Sequence, residues 1–154
     1  MRDQGYTFVE VAVVCAILAI LASAILPLAK VTLQRERELE LRRDLREMRT
    51  AIDKFKDAAD QGKIAPADLP STADGYPPTL QVLVNGVAVA NSNTGARLRF
   101  LRRIPINPMT HAAEWGMRSS RDEATSTSWG GQNVFDVFST YQGRALDGTK
   151  YNDW

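Results

Sequence analysis

The chain begins with one long hydrophobic segment that is followed by a charged segment. Val11 to Leu26 is almost unbroken in its apolar character, and Glu10 is the only acidic residue near its start. Residues 6–29 provide about 24 residues, and a helix needs about 20 to cross the hydrocarbon core of a bilayer. The pattern therefore predicts a membrane-spanning helix over residues 6–29.

Residues 30–61 predict that the same helix continues with an amphipathic character. No proline or glycine lies between Lys30 and Asp60, so nothing in the sequence interrupts it. Apolar residues recur at steps of four and three, which places them on one helix face. This apolar stripe consists of Leu41, Leu45, Met48, Ile52 and Phe55. A coiled coil with a second copy is one interpretation, but the domain that follows favours cover by the same chain.

Prolines and glycines separate short elements over residues 62–154. Thr79–Val84 predicts a short helix. Glu114–Ser119 and Val134–Ser139 have the strongest strand patterns, and a third short strand is predicted over Tyr151–Trp154. The fold class is therefore α+β, with a long N-terminal helix packed on a small antiparallel sheet in a globular head.

Composition limits the possible functions. The 154 residues have a net charge of +1, which leaves no strongly basic footprint, so no nucleic-acid partner is expected. The only cysteine, Cys15, lies in the apolar segment and cannot form a disulfide within the chain. The only histidine is His111, and no nucleophile elbow or phosphate-binding loop is present. The sequence does not predict an enzyme; a tethered enzyme is the alternative, and its Ser-His or Cys-His chemistry would depend on His111.

The residues before the apolar segment have a distinctive spacing. Gly5 is followed by the aromatic Tyr6, and Glu10 is the fifth residue after that glycine. A secretory signal peptide is one interpretation, because Ala-Ser-Ala at residues 22–24 resembles a cleavage site. A plain membrane anchor, with Glu10 near the interface, is another. Neither explains why a glycine, an aromatic residue and a glutamate occur at these three positions.

The Gly5-Tyr6-Thr7-Phe8-Val9-Glu10 string, with Pro27 near the end of the apolar segment, resembles the N-terminus of type IV prepilins. It is most similar to the pseudopilins of type II secretion, although Tyr6 replaces the more usual phenylalanine. The resemblance implies a pilin-like fold and a leader at residues 1–5. It also implies that prepilin peptidase cleaves between Gly5 and Tyr6 and that the new N-terminus at Tyr6 is methylated.

Glu10 and Pro27 are the residues expected to act in assembly. Cleavage would create an α-amine on Tyr6 whose ordinary pKa lies above neutral, so the amine would be mostly cationic. In a filament of packed helices, Glu10 of one subunit can neutralise the amine of its neighbour, because each charge is costly alone in apolar surroundings. Pro27 is expected to bend the helix or to release local hydrogen bonds.

Parts of the head are similar to the major pseudopilin of type II secretion. The similar stretches are residues 101–108, 114–120 and 135–139. Such proteins hold a calcium ion in the loop before their last strand, and calcium takes six to eight oxygen ligands. The resemblance implies Ser139, Asp147 and Asp153 as ligands, together with backbone carbonyls. The loop here is shorter than the family pattern, and an ordinary turn at Asp147-Gly148 is the alternative.

The resemblance implies a structural filament subunit of a type II secretion pseudopilus, which drives protein export across the outer membrane. A type IV pilus subunit for adhesion, motility or DNA uptake is the alternative. The implied partners are further copies, prepilin peptidase, minor pseudopilins, the inner-membrane assembly platform and, before assembly, membrane lipid. The implied location is the inner membrane, crossed once, with the head in the periplasm. Basic residues crowd the C-terminal flank of the apolar segment, so the positive-inside rule alone predicts the opposite orientation.

Overall fold

The computed structural model describes residues 7–92 and 95–154, and for residues 24–28 it describes the backbone only. Two α-helices, four short strands and two 3₁₀ helices follow one another within these described residues. They are α1 (Phe8–Asp60), a 3₁₀ helix (Pro66–Asp68), α2 (Leu80–Asn85), β1 (Val87–Ala88), β2 (Arg97–Leu98), β3 (Gly116–Arg118), β4 (Asp136–Phe138) and a second 3₁₀ helix (Tyr151–Asp153). The chain divides into two units between Glu36 and Arg37.

Helix α1 has 53 residues, which confirms the long helix predicted from the sequence. Thr7 caps its start, because the Thr7 Oγ1 accepts a hydrogen bond from the Glu10 amide at 3.3 Å. The backbone stays helical through Pro27. The helix ends where Gly62 adopts a φ of 65°. The Lys63 amide then bonds back to the Ala58 carbonyl at 2.9 Å, as in a Schellman motif.

In the first unit, the apolar side chains from Phe8 to Leu21 are exposed, and Phe8 is 88% exposed. Exposed apolar surface of this extent is unusual for a soluble chain and marks a surface that something else covers. Across residues 7–92 and 95–154, no helix combines the length and the apolar character that crossing a membrane requires. The membrane-spanning helix expected over residues 6–29 stays a prediction.

In the second unit, the apolar stripe of α1 forms one side of the hydrophobic core. Its five members are at most 2% exposed. Residues from the head cover them, among them Leu83, Val137 and Tyr151. The rings of Phe55 and Phe100 pack with their centroids 5.3 Å apart. The chain therefore buries the stripe itself, as predicted, and no second helix is needed to cover it.

The strands form two separate antiparallel pairs. β1 pairs with β2, and β3 pairs with β4 in a register that sets Gly116 opposite Phe138. Gly116 is needed there, because a Cβ at this position would lie 2.2 Å from the Phe138 ring. The strands predicted within Glu114–Ser119 and Val134–Ser139 are confirmed, although each is shorter than the pattern suggested.

Helix α2 confirms the short helix predicted over Thr79–Val84. Gly86, with a φ of 78°, ends it. The third strand, predicted at the C-terminus, is wrong, because residues Tyr151–Asp153 form a 3₁₀ helix. Local bonds close this turn: the Asp153 amide donates to the Lys150 carbonyl at 3.1 Å. The Tyr151 side chain is buried and contacts α1, so this segment packs on the helix and does not add a strand to the sheet.

Candidate functional site

The N-terminal candidate residues lie at the start of α1. Gly5 and Tyr6, the predicted cleavage site, lie outside the described residues. Glu10 occupies the first turn, where a carboxylate interacts favourably with the helix dipole. Thr7 and Glu10 also stand three residues apart immediately before an apolar run, which is the sequence signature of a capping box. The structure shows only the half of the box in which the Glu10 amide donates to Thr7. The sequence analysis did not predict this cap.

The carboxylate of Glu10 faces mostly apolar neighbours. It lines a groove of about 320 Å³ together with Val11, Val14 and Cys15. Within residues 7–92 and 95–154, this carboxylate forms no hydrogen bond and no ion pair. A charge in apolar surroundings is costly until it is paired. Because Glu10 is exposed, its carboxylate is accessible to a partner from outside the described part of the chain.

A second group of polar contacts holds the C-terminal segment on α1. Glu38 of α1 is only 8% exposed. Its Oε1 accepts hydrogen bonds from the Tyr151 hydroxyl at 2.7 Å and from the Leu146 amide at 2.9 Å. Buried carboxylates are tolerated when they are hydrogen-bonded. Glu38 thereby fixes two points of the segment that follows β4.

Arg42 lies one helical turn after Glu38 and continues these contacts. Its guanidinium pairs with Asp147 at 3.1 Å and lies over the Trp154 ring, 4.1 Å from the ring centroid. Hydrogen bonds from the Thr149 hydroxyl and amide lower the pKa of Asp147, and the charge of Arg42 acts in the same direction. The carboxylate of Asp147 is therefore ionised at neutral pH and has protein donors on both oxygens.

Two further arginines, Arg49 of α1 and Arg118 of β3, complete this network. We call the side chains of Glu38, Arg42, Arg49 and Arg118 together the C-terminal clamp. Arg49 and Arg118 share the carboxylate of Asp136, at 2.7 and 3.2 Å. Arg49 also donates to the Trp154 carbonyl at 2.9 Å, and Arg118 donates to the Asn152 carbonyl at 3.1 Å. The clamp ties the end of the chain to both α1 and the β3–β4 sheet.

The residues expected to bind calcium do not form a site that fits the ion. The Ser139 hydroxyl is buried and accepts hydrogen bonds from the Asn107 side chain and the Tyr141 amide. Both oxygens of the Asp147 carboxylate already accept hydrogen bonds from Arg42 and Thr149. Asp153 is exposed in the 3₁₀ helix. Among the described residues, no group of three acidic, histidine or cysteine side chains is placed to hold a metal. Calcium at Ser139, Asp147 and Asp153 stays a prediction without support from these contacts.

His111, on which the enzyme alternative depended, lies exposed in a turn with a φ of 57°. Its backbone amide donates to the Asn107 carbonyl at 2.8 Å. The three tryptophans act in packing: Trp115 is buried and donates to the Pro105 carbonyl at 3.0 Å. Trp129 donates to the Asn133 carbonyl at 2.7 Å. Trp154 is held by Arg42 and Arg49 of the clamp.

Comparison with known protein families finds one match, at the N-terminus. Residues 1–26 match the prokaryotic N-terminal methylation motif. This match shows a prepilin-type leader and supports a type IV pilin-like prepilin that a peptidase processes. Neither the comparison with curated proteins nor that with solved structures found a matching relative.

Proposed function

We propose that the chain is a structural filament subunit that prepilin peptidase cleaves between Gly5 and Tyr6, with methylation of the new N-terminus. The methylation motif at residues 1–26 carries this proposal. The α+β fold, in which a long N-terminal helix packs on short antiparallel strands, agrees with it. The chain acts by assembling with further copies, and no catalytic residue is assigned to it.

The exposed apolar side chains of α1 support the proposal that this helix is always covered, first by lipid and then by neighbouring subunits. Before assembly, membrane lipid covers the surface from Phe8 to Leu21 and anchors the precursor. After assembly, the same segment of neighbouring subunits covers it. The unpaired carboxylate of Glu10 then meets the amine of an adjacent Tyr6, which neutralises both charges and sets the register between subunits.

Within this class we propose a type II secretion pseudopilin of the inner membrane, with its head in the periplasm. Its further partners are minor pseudopilins and the inner-membrane assembly platform. The clamp supports this choice, because it closes the C-terminal segment with hydrogen bonds and ion pairs and uses no cysteine. A type IV pilus subunit acting in adhesion, motility or DNA uptake is the alternative.

The test is to delete the gene and restore it with variants in the native cell. Gly5→Val should leave the precursor in the membrane and abolish filaments, whereas Arg2→Gln, a control in the same leader, should assemble normally. Loss of protein export with intact surface pili supports the pseudopilin. Loss of surface pili with intact export supports the alternative. Filaments built from the uncut Gly5→Val chain would contradict the proposal as a whole.

A further inference from the structure

The head carries a cavity lined by arginines for which the function proposed above gives no role. Arg97, Arg99 and Arg102 line a space of about 940 Å³ beside the end of α2, together with Asn85 and Phe100. We call this space the arginine cavity. Within the described part of the chain, no carboxylate lines it. Three positive charges therefore surround one space.

Backbone contacts hold the segment that carries these arginines. Arg97 belongs to β2, which pairs with β1. Beyond β2, the Phe100 and Leu101 amides both donate to the Leu83 carbonyl of α2, at 3.0 and 3.1 Å. The backbone is thus fixed on both sides of Arg99. A site whose backbone is already in place loses less conformational entropy when it binds a ligand.

Gly86 allows the close approach that positions two of the arginines. It has a φ of 78°, and a Cβ there would lie 2.6 Å from the Leu98 carbonyl oxygen and 2.7 Å from Cγ of Arg99. The stem of Arg99 therefore packs directly on the glycine. The Gly86 carbonyl also accepts a hydrogen bond from the Arg97 guanidinium at 2.6 Å. This contact orients Arg97 and leaves its charge without a counter-ion.

The arginines of the cavity differ from those of the clamp. Arg42, Arg49 and Arg118 each pair with a carboxylate of the head. In contrast, Arg99 and Arg102 form no ion pair or hydrogen bond with any residue that the structure describes. Their guanidinium groups are therefore available to an external anion.

A neighbouring cavity does not supply the missing counter-ions. This space of about 420 Å³ shares Arg102 with the arginine cavity. Glu47 lines it beside Arg43, Arg46 and Lys54, so positive charges outnumber the single carboxylate there as well. The region keeps an excess of positive charge, which raises the local concentration of anions.

We infer that the arginine cavity binds a phosphoryl group, carried by a soluble phosphate ester or by a lipid headgroup. A guanidinium presents its N–H donors in a planar fork that matches the oxygens of a phosphate. A phosphate monoester offers three acceptor oxygens and more than one negative charge, so it can engage several arginines at once. The inference goes beyond the filament function and does not depend on it.

The size of the cavity indicates a ligand larger than inorganic phosphate. Its volume of about 940 Å³ lies at the upper end of the range for small-molecule sites. Asn85 provides an amide and Phe100 an aromatic ring at the same cavity. These two side chains can contact the part of the ligand that carries no charge.

A single phosphoryl group fits the cavity better than a nucleic-acid strand does. The three arginines gather at one space, whereas a strand presents phosphates at regular intervals. Tight binding of a strand requires cations that neutralise several phosphates in succession. The chain as a whole has a net charge of only +1.

Calorimetric titration of the purified full-length chain in a nonionic detergent tests the inference, with glycerol phosphate as the probe. The wild-type chain should bind the probe at constant ionic strength. Arg99→Gln with Arg102→Gln should weaken binding by about tenfold or more, because each substitution removes charge-assisted donors. Lys63→Gln with Lys150→Gln, exposed residues outside the cavity, removes the same charge and should bind as wild type does. No binding by wild type, or an equal loss in this control, would overturn the inference.

A charge-conserving variant separates a shaped site from general attraction. Arg99→Lys with Arg102→Lys keeps both positive charges and removes both planar forks. It should bind glycerol phosphate several-fold more weakly than wild type. Wild-type affinity in this variant would show that charge alone attracts the probe, and the inference would be wrong.

Chemical protection gives a second measurement that needs no variant. Butanedione modifies accessible guanidinium groups, and mass spectrometry of peptides locates the modified residues. Saturating glycerol phosphate should protect Arg99 and Arg102, whereas Arg35, an exposed residue of α1, should react as before. Equal modification of Arg99 and Arg102 with and without the probe would contradict the inference.

Competition distinguishes the two sources of the phosphoryl group. If phosphatidic acid in the micelle displaces glycerol phosphate and phosphatidylcholine does not, the site takes a lipid headgroup. If neither lipid displaces it, the site takes a soluble ester; both results support the inference. A single-stranded oligonucleotide that binds more tightly than the ester, and loses binding in Arg99→Gln with Arg102→Gln, would identify a nucleic-acid surface and overturn it.

Discussion

The Tyr151 hydroxyl donates to Oε1 of Glu38 across 113 positions of sequence, at a distance of 2.7 Å. Both residues are buried. The contact joins the end of the chain to the part of α1 that carries the apolar stripe. It therefore makes the C-terminal segment a part of the head's core, although local sequence gives no indication of it.

Tyr151→Phe should destabilise the head while leaving its fold unchanged. The substitution removes a hydrogen bond to a buried carboxylate, a loss of about 1.5–3 kcal/mol. Urea unfolding of a soluble fragment of residues 30–154 would measure the difference. Tyr141→Phe is the matched control, because Tyr141 is exposed and packs against the Tyr151 ring. Equal stability of both variants would show that the Glu38 contact adds nothing.

The apolar stripe should make the same fragment a monomer. Phe55 is fully buried against Phe100, so Phe55→Ala should cost about 3–5 kcal/mol of unfolding free energy. Lys54→Ala, on the exposed side of the same turn, should change it little. Sedimentation of the wild-type fragment should give the mass of one chain. A stable helical dimer in that experiment would favour the coiled-coil alternative.

Calcium should not change the stability of the fragment. The oxygens of Asp147 already accept from Arg42 and Thr149, so an ion would have to displace protein donors. The melting temperature should be the same in millimolar calcium and in excess chelator. A ligand that binds only the folded state at a hundredfold excess over its Kd would add about 2.7 kcal/mol. A calcium-dependent rise that disappears in Asp147→Ala would restore the metal site implied by the family resemblance.

The stripe and α2 could be predicted because their signals are local. The helical spacing of the apolar residues from Leu41 to Phe55 can be read from neighbouring positions. The end of α2 is likewise set by one glycine, Gly86, which adopts a positive φ. The prediction of a third strand was wrong because Tyr151 is held by Glu38, and no pattern in the neighbouring sequence indicates this contact. The expected calcium ligand Asp147 likewise depends on Arg42, 105 positions away. The net charge did not predict the arginines that line one cavity of the head, Arg97, Arg99 and Arg102, because a sum over the chain does not say where the charges lie.

Glu10→Val should insert in the membrane as well as wild type, because removing a charge favours an apolar environment. It should nevertheless assemble poorly, because the amine of the neighbouring subunit loses its counter-ion. Glu10→Gln should also assemble poorly, because its neutral amide gives the amine of the neighbouring subunit no counter-ion. Thr7→Val removes the helix cap and keeps the carboxylate, so it should assemble. Membrane and sheared-filament fractions, quantified together, measure both steps. Normal filaments from Glu10→Gln would refute the pairing.

The N-terminal residue of the protein in filaments tests the central claim most directly. Mass spectrometry of the N-terminal peptide should show a chain that begins at Tyr6 and carries one methyl group on its α-amine. That result agrees with processing of the methylation motif at residues 1–26. A chain that begins after Ala24, as a secretory signal peptide predicts, or that keeps residues 1–5 would contradict the account.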